Sequence, residues 1–138
     1  MAAATGVLTS SKEYSNGVKL ITLTFTASSV DASFLAGAYT LTGEMGKKLH
    51  SIVVDPGGVG PTDNCNLSIV DSLHGTNVVA TNGADAVDNA VTRRVLPDTA
   101  FDPCIIGGTL TINPDIAVEN LVNSAVTVVT LIIQSKFN

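Results

Sequence analysis

The only imidazoles in this sequence, the side chains used most often as general bases, are His50 and His74. A serine or cysteine nucleophile would need one of them beside it, oriented in turn by a third group. His50 falls inside an alternating segment, on the face opposite Leu49 and Val53, and His74 falls in the turn from Asp71 to Gly75. Neither stands near a nucleophile motif such as Gly-x-Ser-x-Gly. Each reads as a surface or turn histidine, and no catalytic residue is assigned.

Metal chemistry is no better marked. Zinc is held by clustered cysteines and histidines, but Cys65 and Cys104 lie far apart and no CxxC or HxxxH spacing occurs. As small hydrophobes both cysteines suit a core. One disulfide is the alternative, and the lack of a dense cysteine framework argues against it. Calcium takes several oxygens from a loop, and Asp85 and Asp88 with Asn82 and Asn89 are the densest such group. They lack EF-hand order, so a solvated polar loop is the simpler reading and a weak calcium site the alternative. Glu13, Glu44 and Glu119 are scattered, with few aromatic rings to accompany a sugar site. The Gly-rich stretch Pro56 to Pro61 has no Gly-Lys-Ser/Thr ending and no helix after it. No cofactor or metal is therefore expected. Lys47-Lys48 and Arg93-Arg94 read as solvated edges or salt-bridge partners.

The bulk composition narrows the partners. At 138 residues the chain suits one domain with a real core. Its charged fraction is only 14% and its net charge is -5, which repels phosphate backbones and excludes nucleic acid as an expected partner. With no Trp, two Tyr and four Phe, the core must be aliphatic, and stacking platforms for bases are nearly absent. Met1 to Gly6 lacks the basic-then-apolar pattern of a secretory signal. The most apolar stretch, Ala125 to Gln134, is about half of the roughly 20 residues that a membrane helix needs. A soluble protein made in a cytoplasm, without a membrane partner, is expected.

The elements that must position any site read as strands. Residues 1–17 form an N-terminal arm or loosely attached first strand, and residues 18–138 a single β-domain. Ile21, Leu23 and Phe25 alternate with Thr22, Thr24 and Thr26, the period of a strand with one buried face. Further strands are expected at Tyr39 to Thr42 and at Lys48 to Val54, the latter stopped by Asp55-Pro56-Gly57-Gly58. Cys65, Leu67 and Ile69 share one face of the next. Others are expected at Asn77 to Thr81, at Thr92 to Leu96, and at Thr109 to Ile112, ending at Asn113-Pro114. Ile116 to Val122 alone has helix-compatible spacing. Ser124 to Ser135 is apolar on both faces, which implies a central strand covered on both sides or covered by another subunit. Seven or eight short antiparallel strands fit an all-β sandwich or barrel-like sandwich.

The order of these pieces is familiar. From Lys48 to Gly75, a strand ends in a Pro-Gly loop, then come Pro61-Thr62-Asp63-Asn64, an alternating strand and the turn Asp71 to Gly75. A polar segment, Asn82 to Arg94, a Gly-Gly-Thr-Leu-Thr-Ile strand at Gly107 to Ile112 and a terminal β-rich strand follow. Together these resemble small structural proteins of tailed bacteriophages and prophages, over roughly two-thirds of the chain. Cys65 stands where an aromatic residue is expected. The resemblance implies a non-enzymatic virion protein, first of all a capsid decoration (cement) protein. Such a protein would be made in the bacterial cytoplasm and sit on the capsid surface. Its partners would be its own copies, as a homotrimer, and the major capsid protein. Another virion part (neck, tail or baseplate) is the nearest alternative, and a host- or carbohydrate-binding module the next.

Overall fold

A computed structural model describes residues 5–30, 32, 38–61, 66–73, 75–84, 86–87, 90–98, 105, 108–116 and 123–134. Among them the chain is all-β. Its strands are β1 (Thr5–Glu13), β2 (Val18–Thr26), β3 (Tyr39–Thr42), β4 (Lys48–Pro56), β5 (Asn66–Asp71), β6 (Thr76–Asn77), β7 (Arg93–Val95), β8 (Thr109–Ile116) and β9 (Val126–Gln134). They form a five-stranded sheet in the order β1-β2-β9-β4-β7 and a four-stranded sheet in the order β3-β8-β5-β6. Every pairing between these strands is antiparallel.

The two sheets meet in one aliphatic core. β2 contributes Ile21, Leu23 and Phe25, β4 contributes Leu49, Ile52 and Val54, and β9 contributes Val129, Leu131 and Ile133. Facing them are Leu41 of β3, Leu67 and Ile69 of β5, and Leu110 and Ile112 of β8. Such inward rows from two stacked sheets define a sandwich-like arrangement. Strand β9 lies between β2 and β4, paired with each along most of its length. The alternation in β2 is as the sequence reads: the apolar residues are buried and Thr22, Thr24 and Thr26 are half-buried on the other face.

Several boundaries differ from the sequence reading, each for a local reason. In β4, a register shift lies between Leu49 and Ser51. The bulge inserts one residue and reverses the later alternation. Ser51, Ile52 and Val54 are therefore buried, and Val53 shares the outer face with His50 rather than opposing it. That strand also runs through Pro56, which pairs with Thr127. Strand β8 likewise continues past Asn113-Pro114 to Ile116, because a register shift opposite Asn66 and Ser68 takes the proline out of the regular ladder. Only Asn77 of the segment Asn77 to Thr81 belongs to a strand. A 3-10 turn at Ala80–Gly83 follows, and Gly83 packs so tightly on the Leu67 carbonyl that no Cβ would fit. Ile116 closes β8, and the rest of the segment expected to favour helix lies outside the described residues.

The segment read as an arm or loosely attached first strand contains β1 from Thr5 to Glu13, an antiparallel edge strand on β2 with a register shift at Thr9. The reversal is closed by backbone hydrogen bonds from Gly17 to Tyr14 and from Tyr14 to Val18, with Gly17 at φ 86°. That angle is open to glycine at little cost. Residues 7–13 are all exposed, so β1 extends the sheet without adding to the core.

Candidate functional site: the open face of the five-stranded sheet

One side of the five-stranded sheet seals the core and the other is open. The outward residues of β2 and β9 come into register as Leu20 beside Ile132, Thr22 beside Thr130, and Thr24 beside Val128. Strand β4 extends two of these rows with Val53 next to Thr130 and Asp55 next to Val128. On the other flank β1 adds Val7, Ser10 and Lys12, opposite Thr24, Thr22 and Leu20. The two middle strands carry no charge on this face between Leu20 and Thr26 or between Val126 and Ile132. Among the described residues, ionisable groups stand only on its flanks, at Lys12 on one side and at Lys48, His50, Asp55 and Arg94 on the other.

The hydroxyls on this face are partly engaged with one another. Thr22 and Thr130 approach to 3.4 Å across β2 and β9, and Thr9 meets Thr24 at 3.2 Å. Thr9 also donates to the Thr22 carbonyl at 3.1 Å. What faces outward is therefore largely methyl: threonine Cγ, valine, isoleucine and leucine. β-Branched side chains are stiff at χ1 on a pleated surface, so the face has a fixed shape with little rotamer entropy left to lose.

At one end of the face, Val18, His50, Ile132 and Gln134 line a shallow hollow of about 190 Å³. The imidazole of His50 is exposed, and its Nδ1 lies 3.2 Å from Ser51 Oγ. This pair does not make a nucleophile and base that a substrate can reach, because Ser51 points into the core and is 1% exposed.

The structure also brings together an ion cluster that sequence reasoning missed. Glu44, in the connection between β3 and β4, is buried and accepts a hydrogen bond from Lys19 Nζ at 2.5 Å and from Lys47 Nζ at 2.6 Å. Burial pushes the Glu44 carboxyl up, but the two lysine hydrogen bonds and their charges together outweigh it and hold it below its ordinary value. The pairing of Lys47 with Glu44, three residues apart, was readable as a salt-bridge partner; Lys19 lies on a different strand and carries no local signal. Backbone bonds from Gly46 to the Ile105 carbonyl and from Ile105 to the Lys47 carbonyl hold the same connection. The cluster ties β2 to the chain crossing between the sheets, a structural role.

Of the other residues weighed from the sequence, Glu13 is exposed in β1, opposite Lys19 in register. Asn82 donates from Nδ2 to the Leu96 carbonyl at 3.0 Å. Cys65, Cys104, His74, Asp85, Asp88, Asn89 and Glu119 lie outside the described residues. Among the described residues, no three His, Cys, Asp or Glu side chains gather as a metal set, and no helix is long and apolar enough to cross a membrane. Comparison with protein-family models, curated proteins and solved structures finds no match.

Proposed function

We propose that this chain is a non-enzymatic structural protein that acts through its protein-binding surfaces, and that it decorates the outer surface of a tailed-phage head, clamping neighbouring coat subunits. The observation that carries the interaction role is the open face of the five-stranded sheet, β-branched and uncharged along its two middle strands. A contiguous apolar surface of this kind marks a contact site more often than a solvent face. Placement on a phage head rests on the resemblance of the segments Lys48 to Gly75, Asn82 to Arg94 and Gly107 to Ile112 and of the terminal strand. The exposed strand β1 is a natural second contact, since an edge strand presents unpaired backbone groups to a neighbour.

The test is to raise an antibody against the chain and locate it by gold labelling on intact phage particles in the electron microscope. Label spread over the head is the expected result. Label confined to the neck or tail would move the protein to that machinery. A complete absence of label from particles would overturn the virion reading.

A further inference from the structure

We infer that the outer face of β1, β2, β9 and β4 is the surface through which copies of this chain associate. Size, charge and shape on the page support the same occupant. Each of the four strands is nine residues long. At about 3.3 Å per residue and about 4.8 Å between strands, the face covers on the order of 550 Å² in projection. Laid on an equal face, it gives about 1,100 Å² of contact, above the roughly 1,000 Å² that separates specific interfaces from incidental ones.

Charge selects the occupant. The chain carries a net charge of -5, so contact between copies is opposed by repulsion wherever acidic surface meets acidic surface. The middle of this face, Leu20 to Thr26 and Val126 to Ile132, is neutral and escapes that penalty. Its chemistry suits other partners poorly. Its middle offers no aromatic ring to a sugar, and the basic groups Lys12, Lys48 and Arg94 stand on separate flanks rather than forming a stripe for a phosphate backbone or an anionic lipid surface. Two flat faces of Thr, Val and Ile can instead interdigitate at sheet-on-sheet spacing, as the inward faces of this same molecule do. The half-burial of Val126, Val128, Thr130 and Ile132 would then become full burial, which accounts for a central strand that is apolar on both sides.

This deepens the structural reading above and rests on it only in requiring contact between copies. The test is analytical ultracentrifugation of the full chain over a wide concentration range. The wild type is expected to sediment above its monomer mass of 14.1 kDa. Thr130→Lys, whose row neighbours Thr22 and Val53 are uncharged, would bury an unpaired ammonium in the contact and should weaken association by about 100-fold or more while leaving far-UV circular dichroism unchanged. Leu73→Lys, in the exposed turn after β5 on the other sheet, should leave the mass as in the wild type. If Thr130→Lys fails to fold, Thr22→Arg on the neighbouring strand of the same face decides. A wild type that stays at 14.1 kDa throughout, or a folded face variant that keeps the wild-type assembly, overturns the inference. Neither result bears on gold labelling of particles, so the two proposals fail separately.

Discussion

Glu44 shows how one buried side chain couples the sheets to solvent conditions. Its carboxylate sits between two ammonium groups, and Lys19 and Lys47 keep 21% and 26% of their side chains exposed. Replacing it by glutamine leaves two cations without their anion, which costs less than breaking a fully buried pair because water still reaches them. Glu44→Gln is expected to lower stability at neutral pH by about 2 kcal/mol in urea unfolding. The folded-state pKa lies below the ordinary 4.5, so this contribution is fully present above 4.5 and is lost as the pH falls through the folded value. The gap between wild type and variant should therefore close in acid, and a gap that stays constant would refute the assignment. Thr127 presents the opposite case. Its Oγ1 is buried with no hydrogen-bond partner among the described residues. Thr127→Val keeps the shape and removes the stranded hydroxyl, so it should raise stability by about 1 kcal/mol, read as a higher urea midpoint.

At the scale of elements, β9 and β1 make contrasting demands. Leu131 and Thr130 are neighbours on β9, one fully buried and one outward. Leu131→Ala should cost about 2–5 kcal/mol through lost burial and the cavity left behind. Thr130→Ala should fall within about 0.5 kcal/mol, as a substitution away from the core. Equal losses in chemical denaturation would mean that the two faces are not as assigned. Removing residues 1–13 deletes a strand whose described side chains are all outside the core. The lost ladder hydrogen bonds are solvent-exposed and are offset by the backbone entropy released, at about 1–2 kcal/mol per residue. The truncated chain should keep cooperative unfolding and a β-type circular dichroism spectrum, and on the proposed decoration of a phage head it should bind shells more weakly than the full chain. Unchanged shell binding would remove β1 from the contact.

At the scale of the whole molecule, the last strand completes the first sheet. β9 is inserted between β2 and β4, so the five-stranded sheet cannot close until the C-terminal part of the chain arrives. Truncation before residue 124 should leave a chain without cooperative thermal unfolding, in contrast to removal of the N-terminal strand. Pairings of such long sequence separation also predict slow folding relative to helical proteins of the same size. Self-association through the open face belongs to this scale too. It should depend little on added salt, because the middle of that face is uncharged and only its flanks carry ions to be screened.

The amino-acid sequence alone determined the all-β class, the faces of β2 and β5, and the two-sided apolar character of β9. A period of two is a local property that hydrophobic burial enforces directly. It also located the turn at Asp71 to Gly75, where side-chain type restricts the backbone. It did not determine the side on which His50 and Val53 lie together, because one bulge reverses every later residue in a strand. The passage of β8 through Pro114 was hidden for a related reason, since proline reads as a stop unless a partner strand supplies an irregular register. Glu44 and Lys19 meet only because the connection between β3 and β4 returns over the end of β2, a consequence of strand order that periodicity does not encode. The open face has the same origin. Its rows draw residues from β1, β2, β9 and β4, whose adjacency was decided by how the two sheets close on one core.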